Sequence, residues 1–128
     1  MKQDTLPPKL QKVADRIAAD LKRARNEGTV YPGKEITGKV LAERYSVFFH
    51  ESYTDADMRE VVNYRRRVYH DPIGSTPKAS EEKGGYFYAS SLDELSHTIA
   101  HLTSRLEKQN GALNGLKHAF DPATPELF

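Results

Sequence analysis

The feature that most constrains this chain is a run of apolar residues near its end. Leu92, Leu95, Ile99, Leu102, Leu106, Leu113, Leu116 and Phe120 follow an alternating three- and four-residue rhythm broken only at Gln109. Such a rhythm is one continuous seam along a long helix, and it must be covered by another helix to be stable in water. Ser91-Leu-Asp-Glu94 has the pattern of a capping box and sets the expected start of that helix. Gly111 and Gly115 weaken its far end by about 1 kcal/mol each relative to Ala. The residues from Asp121 onward, with two prolines, read as a flexible tail, 121–128.

The seam fits two partners. One is a second copy of the chain. The other is the first helix, expected from Pro7-Pro8 to Asn26-Glu27-Gly28, whose apolar face is Leu10, Val13, Ala14, Ile17, Leu21 and Ala24. That helix is about ten residues shorter than the last one, which leaves some 15 Å of seam uncovered at about 1.5 Å per residue. The expectation is therefore a homodimer seam carried by Leu95, Ile99, Leu102, Leu106 and Leu113.

Between these helices the chain punctuates itself clearly. Tyr31-Pro32-Gly33 is a turn, and Lys34–Thr37 reads as a one-rung strand. A two-turn helix follows through Val40, Leu41 and Tyr45, with Phe48 and Phe49 in the connection after it. Thr54-Asp-Ala-Asp57 is a capping box for a third helix. On its wheel Met58, Val61, Val62, Arg65, Val68 and Tyr69 share the apolar side, while Arg59, Asn63, Arg66 and Arg67 cluster opposite. Arg65 is expected to lie half-buried and to pair with an acid. Pro72 ends the helix. Ile73-Gly74-Ser75 and Gly85-Tyr-Phe-Tyr88 are two short strands, and the polar segment between them is a long hairpin tip. The organisation expected is a body over 1–90, a long seam helix over 91–120 and the tail.

Charge and composition exclude several function classes. The 128 residues carry a net charge of +1 and no cysteine, so disulfides, thiolate metal sites and cysteine nucleophiles are impossible. Residues 1–30 hold seven Lys/Arg against four Asp/Glu, a mild basic bias at the front of the molecule. No apolar stretch approaches the about 20 residues needed to span a bilayer, and MKQDTLPPKL has no signal-like apolar run. A cytoplasmic protein without membrane partner is expected. His97 and His101 stand four apart, but no third ligand is evident and Thr98 stands where hydrolytic zinc helices place Glu. No nucleophile–base spacing and no phosphate-cradling glycine loop is present. Hence no metal, no cofactor, no small-molecule substrate and no enzymatic role are expected.

The order helix, rung, helix, helix, hairpin, with Asp71-Pro72-Ile73-Gly74-Ser75, Gly85-Tyr86-Phe87-Tyr88-Ala89, Ser91 to Leu95 and Ser104-Arg105, resembles small winged-helix proteins encoded by bacteriophages and prophages. The resemblance spans roughly residues 30–120. It implies a mainly α (α+β) fold, a winged helix-turn-helix with a small antiparallel hairpin and a long C-terminal helix. It also implies double-stranded DNA as partner, in transcription regulation or as an accessory in replication initiation. The third helix would read DNA with Arg59, Asn63, Arg66 and Arg67, with Thr54 and Asp55 at its phosphate-facing start. Lys78 and Lys83 on the hairpin tip would act as a wing. The segment Ser46 to Tyr53 departs from the resemblance, being longer than the usual tight turn. The alternative function is a protein-interaction or assembly adaptor that uses the leucine seam.

Overall fold

In the computed structural model, which describes residues 5–76 and 84–119, four helices and one two-stranded antiparallel sheet are present. They are α1 (Pro8–Asn26), α2 (Gly38–Phe49), α3 (Asp55–Tyr69), β1 (Ile73–Thr76), β2 (Gly85–Tyr88) and α4 (Ser96–Lys117). The chain divides into two units, Met1–Thr98 and Ile99–Phe128.

Proline enters α1 at its first turn, where its missing N–H has no partner to lose. The helix then buries Leu10, Val13, Ala14, Ile17 and Leu21 along one stripe. Gly28 lies beyond the end at φ +73°, and the Thr29 and Val30 N–H groups turn back to the Ala24 carbonyl. That reversal drops Val30 into a small second cluster with Phe87 and Ala89. Ile36 and Tyr86 then exchange two backbone hydrogen bonds, so the expected one-rung strand exists as a bridge on the outer edge of β2.

Thr37 caps α2, its hydroxyl accepting from the Val40 N–H. This helix is a full turn longer than its sequence suggested. Phe48 and Phe49 belong to it, because Leu41, Ala42, Tyr45 and Phe49 extend one stripe against α1 and α3. Phe49 is half-buried there, whereas Phe48 is 55% exposed beneath the Arg16 guanidinium. The longer α2 consumes most of the expected link. Only five residues, 50–54, separate α2 from α3. His50 makes the reversal in the left-handed region, and the Ser46 hydroxyl accepts from the Tyr53 N–H across it.

The capping box on α3 is complete: Thr54 and Asp57 each accept the other's backbone N–H. Met58, Val61 and Val62 are fully buried. The last turn departs from the wheel. Tyr64 is buried instead of Val68 and Tyr69, which are exposed where α3 runs past the core. Arg65 is buried at its stem, forms an ion pair with Asp71 and covers the Tyr69 ring at 4.0 Å. Its half-buried, acid-paired state is the one the sequence implies.

In the hairpin Ile73 faces Tyr88 and Ser75 faces Tyr86. Gly74 lies under the Phe87 ring so closely that a Cβ at this position would fall within it. After β2 the expected capping box is not formed. The Glu94 carboxylate instead binds the Arg25 guanidinium through two 2.7 Å hydrogen bonds and accepts the Ser90 N–H. A bidentate, charge-assisted pair outweighs a helix cap. Residues Asp93–Leu95 consequently form a 3-10 turn, and the α-helix begins only at Ser96. Leu95 is half-buried against Val30, Phe87 and Ala89.

Candidate nucleic-acid interface

Helix α3 holds six of the residues singled out from the sequence, in two groups. Thr54 and Asp55 stand at its start. The Thr54 hydroxyl and N–H are both engaged in the capping box, and Asp55 lies 3.5 Å from the Arg59 guanidinium. Asp55 and Asp57 suit the positive end of the helix dipole, but they give that end a negative surface. Arg66 and Arg67 in the last turn suit the opposite end. Positive character therefore grows along α3, and a polyanion would be met by its middle and C-terminal half rather than by its first turn.

Asn63 and Arg67 are exposed on that half, and Arg59 is exposed nearer the start, within reach of Asp55. Arg66 is not equivalent to them. Its Nε donates to the Ile73 carbonyl at 2.9 Å, and its Nη atoms reach the Ser75 hydroxyl at 3.2 Å and the Asn63 amide oxygen at 3.4 Å. Burial holds its pKa below the ordinary guanidinium value. Arg66 ties α3 to β1 and positions Asn63. The wheel could not reveal this, because the acceptors come from the hairpin. Lys78 and Lys83 lie outside the described residues.

The far edge of β1 is closed by a side chain. Thr98 is buried, and its hydroxyl accepts from the Ser75 N–H at 2.9 Å and donates to the Ser75 carbonyl at 3.0 Å. Opposed residues in an antiparallel pair alternate between exchanging bonds and pointing them outward. Ser75 and Tyr86 form an outward pair, completed by Thr98 on one side and Ile36 on the other.

A groove of about 580 Å³ lies between α1, α2 and the segment joining them, with Arg16, Asp20, Arg44, Tyr45 and Phe48 in its lining. Much of its polar chemistry is internally satisfied, although the buried Arg16 Nε, 3.6 Å from the Asp20 carboxylate, makes no hydrogen bond. The Asp20 carboxylate takes the Tyr45 hydroxyl at 2.6 Å and the Arg23 guanidinium at 2.9 Å. Burial, reinforced by the Asp20 hydrogen bond, raises the Tyr45 pKa well above the phenol range and keeps it protonated. Among the described residues no group of three His, Cys, Asp or Glu could hold a metal ion. Nor is any described helix long and apolar enough to cross a membrane.

On α4 the seam residues Ile99, Leu102, Leu106, Leu113 and Leu116 are all exposed, from 38% at Leu102 to 75% at Leu116. Of the other seam residues, Leu92 is exposed, Leu95 packs in the second cluster instead, and Phe120 lies outside the described residues.

No family model, curated protein or solved structure matches the chain.

Proposed function

We propose that the chain is a winged-helix DNA-binding protein, acting as a homodimer in phage or prophage transcription control or replication initiation. The observation that carries this reading is α3 itself. It is firmly capped and anchored, with Arg59, Asn63 and Arg67 exposed, the last two on the half whose charge is positive. Long polar side chains on one helix face suit base edges in a major groove, Arg for guanine and Asn for adenine. The order of α1, the Ile36 rung, α2, α3 and the hairpin supports a winged helix, with α3 as the reading element. The exposed seam on α4 supports pairing, which would present two such elements to a two-fold site.

Fluorescence polarisation on duplex DNA tests the proposal. Affinity should fall steeply between 50 and 200 mM salt, by orders of magnitude for several phosphate contacts. Changing Arg59 and Asn63 to Ala should each weaken binding to a selected site by about 1–3 kcal/mol while circular dichroism stays unchanged. Equal affinity in the doubly changed protein would refute α3 as the reader. The exposed seam, together with exposed Val47 and Phe48, favours a second reading as a protein-binding adaptor. Undetectable duplex binding at low salt would favour it.

A further inference from the structure

We infer that α4 pairs with α4 of a second copy in parallel and in exact register, with Gln109 facing Gln109. The inference rests on the homodimer reading and adds its geometry. In heptad letters Ile99, Leu106 and Leu113 occupy a, and Leu102, Gln109 and Leu116 occupy d. All five apolar members are exposed, so the stripe is available along about 27 Å of helix. Five of six positions are apolar and give little orientation. Gln109 gives all of it.

In an antiparallel pair, a residues oppose d residues of the other strand. Gln109 occupies d, so every antiparallel register sets it against Ile99, Leu106 or Leu113, and its buried amide has no partner. A parallel pair shifted by one heptad sets it against Leu102 or Leu116, with the same result. Only the parallel, unshifted pair places amide against amide, where each can donate and accept. An unsatisfied buried polar group is costly, whereas a matched polar layer fixes register. The flanks agree. Arg105 at g meets Asn110 at e of the second strand, and Ala112 meets Lys117, so no like charges oppose each other. Gly111 and Gly115 fall at f and c, away from the contact, so they leave no gap in it.

The native chain has no cysteine, so single cysteines report orientation without interference. Ile99→Cys and Leu116→Cys, each alone and mixed, are oxidised in glutathione buffer, and the parent is sedimented at high micromolar concentration. Self-linking of both variants, without a 99–116 product in the mixture, is the expected result. A 99–116 product, or no self-linking from a parent that sediments as a dimer, overturns the orientation and leaves the dimer standing. A monomeric or trimeric parent overturns both. Because a cysteine in the seam can weaken association, Gln109→Glu and Gln109→Lys give an independent reading. Mixed, they should associate at least tenfold more tightly than either alone, since Glu then faces Lys. No preference for the mixed dimer overturns the register.

Discussion

Thr98 and Ser75 are joined by two hydrogen bonds through a single hydroxyl, which serves β1 as a neighbouring strand would. Thr98 lies in the first turn of α4, so the start of that helix is fixed to the hairpin by backbone polarity as well as by the packing of Leu95 just before it. Replacing Thr98 with Val keeps the shape but strands both Ser75 groups. Chemical denaturation should show a loss of about 1–3 kcal/mol, and Thr98→Ser should restore most of it. A Val variant as stable as the parent would mean that water replaces the hydroxyl.

Arg66 is expected to behave differently from its neighbours on α3. Removing it breaks bonds to Ile73 and Ser75, so Arg66→Ala should cost about 1–3 kcal/mol of stability, as hydrogen bonds from charged groups do. Arg59→Ala, which loses only an exposed pair with Asp55, should stay within about 0.5 kcal/mol of the parent. Lys at position 66 should not rescue, because an ammonium lacks the fork that spans two acceptors. Parallel melts of the three variants check this.

The Arg25 hydrogen bonds drive the Glu94 carboxyl down to about 2. An unfolded glutamate titrates near 4.3. The folded chain therefore binds fewer protons between these values, and stability rises with pH across that window. The contribution of this pair is fully present above about pH 5 and lost progressively as the pH falls toward 2. Glu94→Gln should flatten that part of the stability profile, measured by urea unfolding at stepped pH. An unchanged slope would assign the acid sensitivity to other carboxylates.

His50 and His70 sit in the left-handed region at φ 54° and 56°, one before α3 and one after it. Both are exposed. The conformation costs an L-residue about 1 kcal/mol that glycine does not incur. His70→Gly should raise the thermal midpoint by a few degrees, an effect that differential scanning calorimetry resolves. A lowered midpoint would show that the His70 side chain makes a contact worth more than the backbone relief.

The parts of this fold written in local sequence were legible before the structure. The bounds of α1 follow from Pro8 and Gly28, the cap of α3 from Thr54 and Asp57, and the strands from Ile73 and the aromatic run at 85–88. The features that depend on distant partners were not. Nothing near Glu94 announces Arg25, 69 residues away, so the 3-10 turn replaced an expected cap. Thr98 reads as one more polar residue on a helix until β1 is beside it. The wheel of α3 correctly set Arg59, Asn63 and Arg67 outward. It could not distinguish Arg66, whose acceptors are Ile73 and Ser75, nor foresee that Tyr64 rather than Val68 is buried.

The contact between Gly74 and Phe87 has a consequence for how this protein can change over generations. No side chain fits at 74 while the ring stays, and a smaller residue at 87 leaves a void unless something grows to fill it. Each position therefore blocks drift in the other, and substitutions there should arise as pairs. A mutational survey scored only by activity would rank both alongside the residues that touch a ligand, although their part is to let an aromatic ring lie across the neighbouring strand.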